Sequence, residues 1–541
     1  MRAVGRAAGW AAAALLGVAG IIRADASDLG RIDFATSGSP EAQKHFLRGA
    51  LLLHSFEFDD ATEEFRAAEK IEPGFAMAYW GEAMTYNHPL WMEQDRDAAV
   101  AALKKLAPTR EERLSKAPTD REKGYLSAVE TLYGDGDKPA RDLAYAEAMR
   151  RLHEEYPDDL DAASFYALAL LGTCEGKRDV ATYMKAAAAA EEVFAKNPLH
   201  PGAVHYLIHC YDDPVHAPLG MRAARVYAKI APAAGHALHM PSHIFFASGL
   251  WEDAASSNSA AWKASLDRAE RKKLGPDDHN DHALFWLEYA QLQMGQYAEA
   301  RKTLATIEAD ARESGSKRTR GHLVWMRAAY LIETRQWSGD VARMSVKSDD
   351  LSQHGIALFV DGLRAVETGD RVAANKALAE LAGSSGGGET HVHGGAASCT
   401  MSRANNADPV LAKELEAKIL FAQGEQGQAL ALAKEAAAAE DAMSFDFGPP
   451  AIAKPTHELL GEMLLASSRP ADAKQEFEAS LALGPGRALS LLGLARSAAA
   501  SGDKAAAQEA FAKLQDNWRR GDADLPERKE VETSRPEVAA R

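Results

Sequence analysis

Three cysteines in 541 residues are too few to staple a chain of this length, which excludes a disulfide framework. Basic charge is also short: 62 Lys and Arg stand against 78 Asp and Glu, a net charge of −16. Phosphate backbones are held by basic faces, so this balance argues against a nucleic-acid partner. Beyond the N-terminus no apolar run is long enough to span a bilayer, so no stable membrane span is expected. No Gly-rich phosphate loop joins a strand to a helix, no nucleophile elbow is visible, and no His-Glu-x-x-His occurs.

The first 26 residues read as an address. Arg2 and Arg6 give a positive start, Ala7 to Ile22 is uncharged and apolar, and Ala24-Asp25-Ala26 offers a small-x-small cleavage site. A cleaved signal peptide and an exported chain, periplasmic or secreted, are expected. No Cys stands at the cleavage point, which argues against a lipid anchor.

Counting Ala42 as the first position, Gly49, Leu52, Phe58, Ala61, Phe65, Ala68 and Pro73 fall at positions 8, 11, 17, 20, 24, 27 and 32. Small residues at 8, 20 and 27 let two antiparallel helices approach, and large apolar ones fill the space between them. Lys454, Leu460, Gly461, Leu464, Ala473, Phe477 and Pro485 repeat this register, followed by Ala488, Gly502, Ala507, Phe511 and Leu514. Less regular units start at Gly235, Asp281 and Gly355, and weaker ones near Pro201, Gly321 and Val410.

This register resembles the tetratricopeptide repeat (TPR) family. The strings Ala76 to Trp91 and His236 to Gly249 are also similar to large exported bacterial TPR proteins known by their repeats alone. The resemblance implies an all-α, right-handed TPR-type solenoid of about ten to twelve units, each too small to bury its apolar face alone. Residues 27–382 form the N-terminal and central array, interrupted by an insertion at 87–118 with a short helix of its own. A capping box of Thr119 and Glu122 restarts the array. Residues 383–408 form a Gly-rich loop, 409–518 the C-terminal units, and 519–541 a frayed, disordered tail.

In this repeat family positions 2, 5, 9 and 12 line the concave groove, which the helical period places on one stripe. The unit from Pro201 puts Gly202, His205, His209 and Asp212 there. The unit from Gly235 puts His236, His239, His243 and Phe246 there, and the following units add His282 and His322 at position 2. Two imidazoles four residues apart on one helix converge on one ion, and a neighbouring helix supplies further ligands. Zn with an open position and Cu are both admissible for such donors. Pro241 disfavours a continuous helix from Gly235, which would leave His236 and His239 in a loop and His243 in a first turn. Beside the metal reading stands a plain polar groove, with imidazoles stacking, bonding to Asp212 or Asp213, or meeting a peptide.

Weaker candidates surround this stripe. Trp80, Met84, His88 and Trp91 suit a groove ligand, His391, His393, Cys399 and Met401 are soft donors in a solvated loop, and Cys174 and Cys210 stand 36 residues apart, near one repeat, which leaves an inter-repeat disulfide open after export. The family's carboxylate clamp of Lys, Asn and Arg is not matched. Two functions therefore remain: an exported scaffold binding a peptide or protein segment, and a metalloprotein, hydrolase or oxidase, using the histidine stripe.

Overall fold

The computed structural model describes residues 28–384 and 407–534. The leader and the loop ligands His391, His393, Cys399 and Met401 lie outside the described residues.

The chain is an all-α solenoid, and its one strand pair among the described residues is Asn87–His88 against Glu93–Gln94. Among the described residues, pairs of consecutive, mutually packed helices follow one another, from Pro40–His54 with Phe58–Ile71 to Ala488–Ser501 with Lys504–Asn517. The repeat register acts through packing. Phe65 is fully buried, and a Cβ added at Gly49 or Gly81 would meet its ring at 2.8 or 2.3 Å. Phe477 sits the same way against Gly461 and Gly493. In these two units a Phe thus wedges between a glycine of its own first helix and a glycine of the next unit. Burying such a ring contributes about 1.5–3 kcal/mol.

The insertion carries two helices rather than one, Arg96–Leu106 and Arg110–Lys116. The reciprocal capping box belongs to Thr109 and Glu112. At Thr119 the hydroxyl caps the backbone N–H of Glu122, but the Glu122 carboxylate accepts from the Thr119 hydroxyl at 2.9 Å and from the backbone N–H of Ser37 at 2.6 Å rather than from the Thr119 backbone N–H. Long-range docking of the N-terminal segment displaces the local bond.

Residues 519–534 are not a frayed tail. Leu525 and Val531 are buried, Arg528–Thr533 is helical, and Arg496 and Arg335 pair with Glu530 and Glu527. Trp518 and Leu525 cover Gly295, more than 200 residues upstream, and this apolar docking orders the segment.

The C-terminal units return onto the centre of the array. The buried Arg487 guanidinium bonds Glu458 at 2.6 Å, Glu333 at 2.7 Å and the Tyr289 hydroxyl. Nearby, Trp251 Nε1 donates to the Gly486 carbonyl at 2.9 Å, and Gln293 Oε1 accepts from Ala488 N–H at 2.8 Å. The expected groove is therefore filled by the chain itself at the positions singled out. Trp80 packs among Phe34, Tyr125 and Phe165, and Met84 is buried with its Sδ accepting from the Tyr145 hydroxyl at 3.7 Å. Neither presents itself to a partner. Cys174 and Cys210 are free, buried thiols rather than a disulfide.

Candidate metal centre

The helix Pro201–Tyr211 carries His205 and His209 one turn apart, with Asp212 directly after it. Pro201 starts this helix without losing an internal bond, because the first-turn N–H groups have no helical partner anyway. The next unit opens with two short helices, Gly235–His239 and Pro241–Ala247, joined at Met240 with φ −54° and ψ −36°. Pro241 thus begins a second helix rather than forcing a loop. His236 and His239 are helical, contrary to expectation, and the four-residue spacing of His239 and His243 survives the junction.

All these side chains are withdrawn from solvent: His205 is 0% exposed, Asp212 and His239 1%, His243 2%, His282 3%, His209 4% and His236 8%. The ring centroids form a closed circuit. His205 to His209 is 4.9 Å, His209 to His243 5.4 Å, His243 to His239 5.1 Å, His239 to His236 6.1 Å, and His236 to His205 4.9 Å. His282 lies against His239 at 4.8 Å.

Hydrogen bonds at Nδ1 assign the tautomers. His205 Nδ1 faces the backbone carbonyl of His54 at 2.7 Å, which only accepts, so Nδ1 carries the proton. His243 Nδ1 donates to Asp212 Oδ2 at 3.1 Å, and His209 Nδ1 approaches the same oxygen at 3.4 Å. His239 Nδ1 donates to Asn258 Oδ1 at 2.6 Å, an orientation set by Asn258 Nδ2 donating to the Ala254 carbonyl at 2.9 Å. With Nδ1 protonated on His205, His239 and His243, the Nε2 of each of those three rings presents a lone pair. The Nε2 atoms of His205 and His209 are 3.1 Å apart, and those of His239 and His243 are 3.2 Å apart. His236 Nε2 lies 3.1 Å from His205 Nε2.

Burial opposes a proton on these rings. It holds His205, His236, His239 and His282 well below the ordinary histidine range, and the neighbouring imidazoles add to the effect. Burial also brings His243 down to about 4, against the partial support of Asp212. At Asp212 burial favours the neutral acid, but Arg178, His209 and His243 outweigh it and hold the carboxyl below its ordinary range. Arg178 donates to Asp212 Oδ1 at 2.6 Å and to the Cys210 carbonyl at 3.0 Å, and pairs with Asp213 at 2.7 Å.

The donor spacing fits a transition-metal ion. Two imidazole nitrogens bound at 2.0–2.1 Å to a tetrahedral ion lie about 3.3 Å apart. The two triads His205, His209, His236 and His239, His243, His282 each bring their ligand atoms within 4.8 Å of one another. Nδ1 bonds to carboxylate, carbonyl and amide oxygen are the arrangement that orients metal-bound histidine.

Two other candidates sit outside this set. His88 stacks on Phe58 at 4.0 Å and its Nε2 bonds the Thr85 carbonyl, while Trp91 reaches only the edge of His236 at 6.2 Å. His322 donates from Nδ1 to the Arg318 carbonyl at 3.0 Å and belongs to neither triad. His282, expected to face a partner, instead completes the second triad.

Sequence reasoning did not single out His54, Glu57, Arg178, Asn258 or Phe447 as parts of the site. Phe447 packs on His243 at 4.6 Å, and Gly448 beside it leaves no room for a side chain against Trp286. On the opposite side a polar chamber of about 460 Å³ is walled by Glu57, Arg268, His236, His239 and His282 among others. Glu57 Oε1 accepts the backbone N–H of His236 at 2.9 Å, and burial pushes its carboxyl up to about 7. In another buried group, His54 bonds the Tyr206 hydroxyl at 2.9 Å and Asp161 at 3.0 Å, and His200 Nδ1 caps the backbone N–H of Ala203 while its Nε2, 3.5 Å from Asp161, has no hydrogen-bond partner among the described residues.

No known family pattern matches the chain, and no curated protein does. Among solved structures it is similar to Ypp1, at 10% identity and a TM-score of 0.39 with 88% of each chain covered. It is also similar to human IFIT1, solved as a dimer with m7Gppp-AAAA, at 13% identity and a TM-score of 0.35, covering 90% of this chain and 91% of that one. Yeast Tom70 aligns at 12% identity and a TM-score of 0.27, over 91% of this chain and 94% of that one.

Proposed function

We propose that the protein is an exported metalloprotein whose buried histidine cluster holds a transition-metal ion. One observation carries the reading: His239 and His243, each with its Nδ1 proton given to an oxygen, turn their Nε2 lone pairs toward each other at 3.2 Å. Facing lone pairs repel unless a cation lies between them, and enclosure in a dry core strengthens that repulsion. Zn and Cu both suit an all-imidazole set. Export is supported by Arg2, Arg6 and the apolar run ending near Ala26. A helix-pair array also offers extended surfaces to protein partners. That role is compatible with the metal centre, with any docking surface outside the buried histidine faces.

The test is metal analysis of tag-free protein after reconstitution with Zn(II), Cu(II), Mn(II) or Fe(II) and desalting. At least one equivalent of ion per chain is expected. Joint replacement of His205 and His209 by Ala should lower the bound metal while the helical circular-dichroism signal persists. Substoichiometric binding of every ion tried overturns the reading. N-terminal sequencing of the exported chain, expected to begin at Ser27, tests the leader.

A further inference from the structure

We propose that the two histidine triads take one ion each, so that the protein holds a pair of metal ions opening onto the polar chamber beside Glu57. This rests on the metal reading above and adds nuclearity and an access route to it.

The donors form two histidine triads, with His209 of one and His243 of the other also meeting at Asp212. His205, His209 and His236 are joined by Nε2 separations of 3.1 and 3.1 Å. His239 and His243 face each other at 3.2 Å, and His282 leans on His239. His282 is 3% exposed and neither of its ring nitrogens has a hydrogen-bond partner. Both ring nitrogens are therefore available to a ligand. One first-row ion accepts four to six donors at fixed angles, whereas five imidazoles around a circuit with sides of 4.9 to 6.1 Å, with His282 outside it, cannot all reach one centre at about 2.1 Å.

The outer contacts divide along the same line. The single carboxylate of Asp212 reaches His209 of the first triad and His243 of the second through its Oδ2 atom. One carboxylate thereby orients a ligand in each triad and places one negative charge between two cations. Backbone and amide oxygens serve the others: the His54 carbonyl for His205, and Asn258 Oδ1 for His239.

Three nitrogen donors leave at least one coordination position per ion. The wall shared with the chamber is made by His236 from the first triad and by His239 and His282 from the second. Open positions of both ions therefore face the same space. Its lining, with Glu57, Asp60, Arg48, Arg268 and Asn280, is polar and of both charge signs. The chemical class this admits is water or a small anion, not an apolar molecule.

Metal stoichiometry decides the point. Tag-free chain reconstituted with Cu(II) and desalted should hold two equivalents. The His205→Ala/His209→Ala and His239→Ala/His243→Ala proteins should each keep one. His282→Gln, a milder change, should weaken only the second equivalent, about 10–100-fold. One equivalent in the parent, lost entirely in either double variant, overturns the pair and leaves the metal reading standing; no bound copper, zinc, manganese or iron overturns both. Azide titration of the Cu(II) protein tests the route. Azide should produce a charge-transfer band, and Ala264→Trp, which plugs the chamber wall, should abolish it while copper content stays at two. An unchanged band in that variant overturns the assigned route.

Discussion

Arg178 and Asp212 form an ion pair at 2.6 Å with side chains only 10% and 1% exposed, and the second oxygen of Asp212 serves His209 and His243. The guanidinium lies two bonds removed from any ligand atom, yet it keeps the carboxylate ionised and aimed. Removing it would leave Asp212 buried with no strong cation partner among those described, and a buried unpaired charge is avoided by taking up a proton. Arg178→Met should therefore weaken metal binding by about 10–100-fold, the range seen when outer-shell partners are lost. Competition with a chelator of known affinity measures this, and unchanged affinity would remove Arg178 and Asp212 from any orienting role.

The return of the C-terminal units hinges on Arg487. Glu458, Glu333 and Lys454 are buried around it, so Arg487→Met strands carboxylates rather than simply deleting a contact. Breaking such a buried arrangement costs about 3–5 kcal/mol. A cooperative loss of this size in denaturant unfolding, with earlier proteolysis in residues 456–534, is the expected outcome. A change below about 1 kcal/mol would show that aromatic and apolar contacts alone hold the closure.

Gly493 tests the wedge between units. A side chain there would meet the Phe477 ring at 2.2 Å, so Gly493→Val should destabilise the chain by about 1–3 kcal/mol despite leaving a helix interior without glycine. Urea unfolding reads the difference. Phe477→Leu in the same background should restore part of it, because the smaller side chain vacates the ring's position.

His457 supplies a pH dependence away from the cluster. Hydrogen bonds to Glu476 at 2.7 Å and Asp441 at 3.1 Å, against the opposing effect of burial, raise it to about 9 from the ordinary 6.5. A folded pKa above the unfolded one means stability that is fully present below about pH 6.5 and lost as pH rises through about 9. The melting temperature of His457→Gln should fall below that of the parent at about pH 6 and converge on it at about pH 10. Equal gaps at both pH values would show that the ring contributes by packing alone.

Much of the helix architecture was legible. Gly49 and Phe65, or Gly461 and Phe477, sit at fixed spacings because a helix repeats every 3.6 residues, and a small residue facing a large one is a local instruction. The placement of His205 with His209, and of His239 with His243, followed from the same period. Three expectations failed where distant contacts overrode local ones. Trp80 and Met84 became core because Phe34, Tyr125 and Phe165 close over them; residues 519–534 became ordered because Leu525 and Trp518 find Gly295; Glu122 turned to Ser37. Pro241 was misjudged for a different reason, since a proline that ends one helix is equally suited to the first turn of another.

By itself the sequence determined which side chains share a helical stripe, because that depends only on spacing along one helix. Whether the stripe meets water or a dry wall, and which atom of each imidazole is left free, was decided by the tertiary structure. His54 lies 151 residues from His205, Asn258 lies 19 from His239, and Arg178 lies 34 from Asp212. Those partners arrive only when the array curls and the units dock, and their oxygens draw the Nδ1 protons outward. A stripe of polar residues thereby becomes a closed circuit of imidazoles, with the Nε2 lone pairs of His205, His239 and His243 left free of those oxygens.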